Sequence, residues 1–136
     1  MRQLFRVFWF LLVLISFTSK AEITYDQEHL EYWIRTAKSH PLELVRKNAA
    51  KMLGIMGDNR VLGGLVETLR DTSAEVRQEA VVSIGLLVDP RALPVLEQIV
   101  DRDPSPEVRR KARSAMALIE KRMEYEKSKR TDENSI

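Results

Sequence analysis

The sequence predicts an all-α protein, a short α-solenoid of helical hairpins with about six helices. Two observations predict this fold. The pattern Val-Arg-x-x-Ala recurs at 45–49, 76–80 and 108–112, so that the copies are 31 and then 32 residues apart. Around each copy the apolar residues fall three or four positions apart, the spacing of one helix face. A period in the low thirties with helical patterning is typical of stacked helical repeats.

We expect each repeat to hold two helices, a first helix that carries the Val-Arg pattern and a second helix after it. The first helices are predicted at 42–56, 74–88 and 106–127, and the second helices at 60–70 and 91–101. A helix at 27–39 precedes them, and its apolar residues match those of the second helices. The array is therefore expected to begin and end on a half-repeat.

Local signals set the helix ends. Thr72 and Glu75 have the spacing of a capping box, with Thr72 as the N-cap of the helix that follows. Gly57 lies where a left-handed residue ends the helix before it. These signals place a boundary on either side of the second helix at 60–70.

Glycines inside the predicted helices need a reason, since each costs about 1 kcal/mol relative to alanine. Gly54 and Gly85 recur in register, which indicates close approach between helices. Gly63 and Gly64 have no counterparts in the next repeat, and we expect their helix to be the softest part of the array.

The first 21 residues resemble a secretory signal peptide. Arg2 and Arg6 precede an apolar run from Val7 to Phe17, and Ser19-Lys20-Ala21 fits a cleavage site. The run is shorter than the roughly 20 residues that span a bilayer. We therefore expect export to the periplasm and removal of 1–21. The alternative is a retained leader, which would anchor the protein in the inner membrane.

Charge and composition exclude several classes of function. Of the 22 basic residues three lie in the leader, which leaves 19 against 20 acidic residues and a net charge of −1. That balance argues against nucleic acid as a partner. The absence of cysteine excludes disulfides, thiolate metal sites and a cysteine nucleophile.

The Val-Arg-x-x-Ala pattern, followed by Asp-x-Arg in a unit of about 31 residues, resembles the HEAT-like repeats of the phycobilisome-lyase type. The resemblance extends from about Glu31 to Lys121. It implies a curved solenoid whose second helices line the concave side. It also implies a ladder between neighbouring units, formed by Asp58, Arg60, Asp89 and Arg91.

No catalytic or metal-binding residues are predicted. Some HEAT-like enzymes, the deoxyhypusine hydroxylases, hold two irons with paired His-Glu steps, but neither His29 nor His40 is followed by glutamate. No phosphate-binding loop is present, and the serines have no histidine as a base. We therefore expect no metal, no cofactor and no enzymatic activity.

The remaining signals favour binding of a protein partner. The sequence predicts a non-catalytic, exported scaffold with its repeat domain at 22–127 and a frayed polar tail at 128–136. The predicted contact residues lie on exposed second-helix positions and in a basic cluster of the last helix: Tyr32, Arg35, Glu67, Arg70, Glu97, Gln98, Arg109 and Arg113. An accessory subunit of a lyase or oxidoreductase system, and a membrane-tethered adaptor, are the alternatives.

Overall fold

The computed structural model describes residues 25–133, which form six α-helices joined by short connections. In chain order the helices are α1 (Gln27–Ser39), α2 (Glu43–Met56), α3 (Leu62–Thr68), α4 (Ala74–Leu87), α5 (Leu93–Arg102) and α6 (Pro106–Glu133). Short 3-10 helices, Asn59–Val61 and Pro90–Ala92, lead into α3 and α5. The all-α solenoid prediction is confirmed. The leader predicted at 1–21 lies outside the described residues.

The helices pair differently from the predicted repeats. Each hairpin joins a second helix to the first helix that follows it, so α1 packs on α2, α3 on α4 and α5 on α6. By comparison, α2 contacts α3 only slightly, although the two are consecutive in the chain. The array therefore has three complete hairpins, and the prediction that it begins and ends on half-repeats was wrong.

The core lies between two layers, with α2, α4 and α6 in one and α1, α3 and α5 in the other. The first layer stacks directly, since α2 contacts α4 along its length and α4 contacts α6. Every helix contributes a large aliphatic side chain that is fully buried: Leu30, Leu53, Leu65, Ile84, Leu96 and Ile119. Their burial explains why the apolar spacing of the sequence predicted the helices correctly.

The observed helix caps correct one prediction and confirm another. Ser73, not Thr72, caps α4, and its Oγ accepts hydrogen bonds from the backbone N–H groups of Glu75 and Val76. With Ser73 as the cap, Glu75 is the second helical residue and not the third, so it does not complete a capping box, and its carboxylate binds Lys47 on α2. Gly57 ends α2 in the left-handed conformation with a φ of 65°, as predicted.

Val88 occupies the place of Gly57 one repeat later. It ends α4 in the same left-handed conformation, with a φ of 52°. A β-branched residue is strained in that region. Because the half-buried side chain of Val88 packs against the core, its apolar contacts offset part of the strain.

Three of the four helical glycines lie where helices touch. A Cβ atom at Gly54 would lie 2.5 Å from Ser83 Oγ, and one at Gly85 would lie 3.0 Å from the Cβ of Ala115. The predicted close approach is therefore confirmed. Gly64 also touches another helix, at Ile34 of α1, whereas Gly63 faces open space.

The last helix is longer than predicted. It continues six residues past Lys127, to Glu133, where the sequence led us to expect a separate tail. Salt bridges one turn apart support the extension, between Arg122 and Glu126 and between Lys129 and Glu133. None of the helices within 25–133 has the length and apolar character needed to cross a bilayer.

Candidate functional site

Two arginine–aspartate pairs, one part-buried and one buried, tie successive hairpins together. Arg46 on α2 donates from Nε and Nη2 to the Asp71 carboxylate, at 2.6 and 3.0 Å. Arg77 on α4 binds Asp103 in the same way, at 2.9 and 3.1 Å. Each aspartate lies in the loop of the next hairpin, so both pairs are bidentate bridges between neighbouring hairpins. We call these pairs the rungs.

Each rung arginine also fastens the loop of its own hairpin. The Nη1 group of Arg77 donates to the carbonyl oxygens of Asp71 and Thr72, at 2.9 and 3.2 Å. Arg46 makes the equivalent bonds to the carbonyls of His40 and Pro41. A single guanidinium therefore holds two loops in a fixed position.

The rung aspartates are kept ionised inside the protein. Burial alone would raise the pKa of Asp103. Hydrogen bonds from Arg77 and from the backbone N–H of Ser105 more than offset this effect, so that the pKa of Asp103 lies below its ordinary value. The pKa of Asp71 is lowered by the equivalent bonds from Arg46 and Ser73, also against burial. Both carboxylates are therefore fully charged at neutral pH.

The ladder predicted from the family resemblance involves the wrong residues. Arg60 binds Asp58 two residues before it, and Arg91 binds Asp89 in the same local manner. The pair of Arg91 and Asp89 closes on the 3-10 helix that it caps. Arg60 also donates from Nη2 to the carbonyl oxygen of Tyr25, at 2.8 Å, just before α1, so its contact with the preceding hairpin is to the backbone and not to an aspartate.

A groove of about 410 Å³ separates α3 from α5. Its floor is apolar, made by Val66, Leu69, Val95 and Ile99. Its polar rim is formed by Arg70, Gln98 and Arg102, and the rung of Arg77 and Asp103 closes one end. The rim arginines, Arg70 and Arg102, make no side-chain hydrogen bond or salt bridge to any residue that the structure describes.

The structure brings together two of the predicted contact residues, Arg70 and Gln98, at this groove. Arg35 lines a separate hollow on α1. Glu67 is engaged in a salt bridge with Lys38, and Glu97 is exposed on α5.

The other predicted contact residues lie away from the groove. Tyr32 is exposed on α1 and stacks edge to face on Trp33, with the ring centroids 5.2 Å apart. Arg109 and Arg113 lie on α6. Sequence reasoning did not select Arg102 as a contact residue, although its position 32 residues after Arg70 was a usable signal.

The described residues do not form a metal site. No three histidine, cysteine, aspartate or glutamate side chains within 25–133 come together so that they could hold a metal ion. His29 pairs with Asp26 at the start of α1, and His40 accepts a hydrogen bond from the backbone N–H of Leu42. Both histidines are thus occupied at helix ends.

Comparison with known proteins identifies the repeats. A family model described as HEAT repeats matches residues 30–118. Deoxyhypusine hydroxylase from Bos taurus is 36% identical over 90 residues, which cover 65% of this chain and 29% of that protein. The enzyme of the same name from Homo sapiens is 36% identical over 90 residues, covering 65% of this chain and 30% of that protein. The chain thus spans under a third of the length of these relatives.

These relatives overturn one expectation. The sequence led us to expect a non-catalytic scaffold with no enzymatic activity, whereas both relatives are named as enzymes. The expectation rested on the absence of His-Glu pairs, whereas the similarity lies in the repeats.

Proposed function

Because the chain belongs to the HEAT-repeat family, we propose that it functions as part of a hydroxylating enzyme whose groove between α3 and α5 binds an acidic segment of a polypeptide substrate. The two rim arginines above an apolar floor carry this proposal. The hydroxylase relatives supply the reaction class, and the chemistry of the groove supplies the class of substrate.

The charge of the groove favours an anionic ligand. The buried carboxylates at its end are already compensated, Asp103 by Arg77 and Asp71 by Arg46. Arg70 and Arg102 therefore add two positive charges without internal partners. A carboxylate placed between them would make charge-assisted hydrogen bonds, which are about twice as strong as neutral ones.

The floor of the groove favours a polypeptide over a small anion. Val66, Val95 and Ile99 are only half-buried, so they retain apolar surface that water covers in the free protein. An apolar side chain next to the carboxylate would displace that water and gain about 25 cal/mol for each Å² that it buries. An acidic segment with interleaved apolar residues matches both parts of the groove.

The rungs keep the groove in shape before a ligand binds. The pair of Arg77 and Asp103 joins α4 to the loop that follows α5, and it forms part of the groove wall. A preformed wall reduces the ordering cost of association. The described residues are therefore assigned the work of binding and orienting the substrate, and no bond-making step is assigned to them.

Binding is tested with a short fluorescent peptide of alternating glutamate and leucine. We expect the peptide to bind the full chain and the double variant Arg70→Gln/Arg102→Gln to weaken binding by about tenfold or more, since each lost charged hydrogen bond is worth about 1.5–3 kcal/mol. Arg122→Gln, which removes an exposed arginine of α6 that does not line the groove, is the matched control. Equal binding of a lysine-leucine peptide would contradict the proposal.

The enzymatic part is tested separately in cells. Peptide mass spectrometry should find a protein that gains one oxygen atom only when this chain is present. The gain should disappear with Arg70→Gln/Arg102→Gln and persist with Arg122→Gln. If no oxygen-bearing protein depends on the chain, the hydroxylase role is wrong even when the peptide binds.

A further inference from the structure

Arg109 occupies the same repeat position as the rung arginines Arg46 and Arg77, but only part of its guanidinium is hydrogen-bonded. Arg109 follows Arg77 by 32 residues, and its Nη1 group donates to the carbonyls of Asp103 and Pro104, at 2.7 and 3.2 Å, as the rung arginines do. Its Nε and Nη2 groups, which in the rungs bind the next aspartate, have no hydrogen-bond acceptor within 25–133. The Nε and Nη2 groups of the half-buried Arg109 can therefore bind a carboxylate from outside these residues.

We propose that this edge of α6 docks a different helical-repeat protein, whose interhelical loop supplies an aspartate for Arg109 and a glutamate for Arg110. The proposal is independent of the groove between α3 and α5. It rests on the arginine–aspartate contact that the chain already builds twice, and on the Lys47–Glu75 pair that accompanies the first of these contacts.

The internal interface between α2 and α4 provides the template. Asp71 binds Arg46, and Glu75, in the first turn of α4, binds Lys47 at 2.6 Å. The sequence Asp-x-x-x-Glu at the start of a helix thus engages two consecutive cations on the preceding hairpin. Arg109 and Arg110 repeat the positions of those cations on α6.

The order and the positive charge of the side chains at this edge of α6 fit such a partner. Arg109 needs little ordering, because Nη1 already fixes the plane of its guanidinium. Arg110 is exposed and holds Glu107 on its own helix, an exposed pair that is readily exchanged. Arg113 is exposed on the same edge and adds further positive charge. The surface is therefore complementary to an acidic loop.

A second copy of this chain does not supply the missing group. In the loop between α1 and α2, His40 occupies the place of the rung aspartates. Its Nδ1 accepts a hydrogen bond from Leu42 N, as Asp71 Oδ1 accepts one from Ser73 N. Head-to-tail stacking would hence bring an imidazole to Arg109, and the remaining loop aspartates already hold Arg46 and Arg77. The occupant is a different protein that carries a carboxylate.

The test uses the full chain and a labelled peptide that copies residues 71–79, which contain the Asp-x-x-x-Glu sequence. We expect binding, with a downfield shift of the Nε–H resonance of Arg109 in NMR spectra. Arg109→Lys should weaken binding about tenfold, because lysine keeps the charge but loses the two-pronged geometry. Arg130→Lys on the same helix is the matched control and should leave binding unchanged.

Further comparisons make the result decisive. A peptide with asparagine for its first aspartate should fail to bind, and circular dichroism should show Arg109→Lys to be as helical as the parent. Arg70→Gln/Arg102→Gln should bind the peptide normally, which separates this edge from the groove. The proposal is overturned if the peptide does not bind, if Arg109→Lys and Arg130→Lys behave alike, or if sedimentation shows that the chain associates with itself through Arg109.

Discussion

Arg77 illustrates how one side chain can fix the geometry between repeats. Its guanidinium satisfies a carboxylate from the next hairpin and two carbonyls from its own, and only a tenth of the side chain remains exposed. Replacing such a group costs more than the loss of one attraction. The remaining partner, Asp103, would stay buried with an uncompensated charge.

We predict that Arg77→Ala lowers the free energy of unfolding by about 3–5 kcal/mol, the range for a buried pair that loses one member. Urea unfolding followed by circular dichroism measures the change. Arg110→Ala is the matched control, because Arg110 is exposed and its pair with Glu107 lies within one helix. If the two variants lose similar stability, the rung does not hold the hairpins together.

The rungs also predict how stability depends on pH. The pKa values of Asp71 and Asp103 are lower in the folded chain than the ordinary value of 3.8. A lowered folded pKa stabilises the folded state fully above the unfolded pKa, and this stability is lost as the pH falls through the folded pKa. We expect unfolding midpoints in urea to be flat near neutrality and to drop below about pH 4.

The variant Asp103→Asn tests the origin of that drop. It should be less stable than the parent at neutral pH, where the parent carries the charged rung, and it should lose less stability on acidification. An acid transition of unchanged size in Asp103→Asn would show that other carboxylates cause it.

At the scale of one helix, α3 shows what close packing demands. It has seven residues, fewer than any other α-helix among residues 25–133, and two of them are adjacent glycines. The sequence led us to expect that neither glycine had a packing reason. Gly64 does have one, since α1 leaves no room for a Cβ atom beside Ile34.

We predict opposite effects for the two glycines of α3. Gly63→Ala should stabilise the protein by about 1 kcal/mol, because Gly63 is helical and faces open space. Gly64→Ala should destabilise it by about 1–3 kcal/mol, the usual cost of overpacking, because the new Cβ would lie 2.6 Å from a methyl group of Ile34. Thermal unfolding of both variants is the measurement, and shifts of equal sign would refute the assignment.

At this scale the sequence patterns predicted the positions of the helices but not the contacts between hairpins. The Val-Arg-x-x-Ala pattern was sufficient to place α2, α4 and α6, because it repeats the spacing of a buried helix face. The pattern could not show that Arg46 pairs with Asp71 and not with an aspartate near Arg60, since that choice depends on which loops become neighbours in space. The left-handed cap at Val88 was equally hidden, because valine is not a residue that signals such a conformation.

At the scale of the whole molecule, the groove could not be predicted either, because its position depends on which helices become neighbours in space. Arg70 and Gln98 were selected because they are polar residues on second helices. Their position opposite one another follows from the separation of α3 from α5, which is set by side-chain packing beneath them. The likeness to hydroxylases was visible in the sequence, but the enzymatic activity was set aside because neither His29 nor His40 is followed by glutamate.

The stacked architecture predicts an uneven distribution of stability. In a linear array each helix is stabilised by its immediate neighbours, so a central helix gains from both sides. In α4, eight residues are buried, whereas α1 buries Leu30 and Ala37. The buried residues of α6 all lie between Val108 and Ile119, in its first half.

Hydrogen exchange followed by mass spectrometry should reveal this gradient. We expect the amides of α4 to exchange most slowly, those of α1 faster, and those of α6 beyond Ile119 fastest, because opening free energies follow local burial. Arg77→Ala should accelerate exchange in α5 and α6 more than in α1, since the broken rung lies on their side of α4. Uniform acceleration along the chain would instead mean that the hairpins unfold as one cooperative unit.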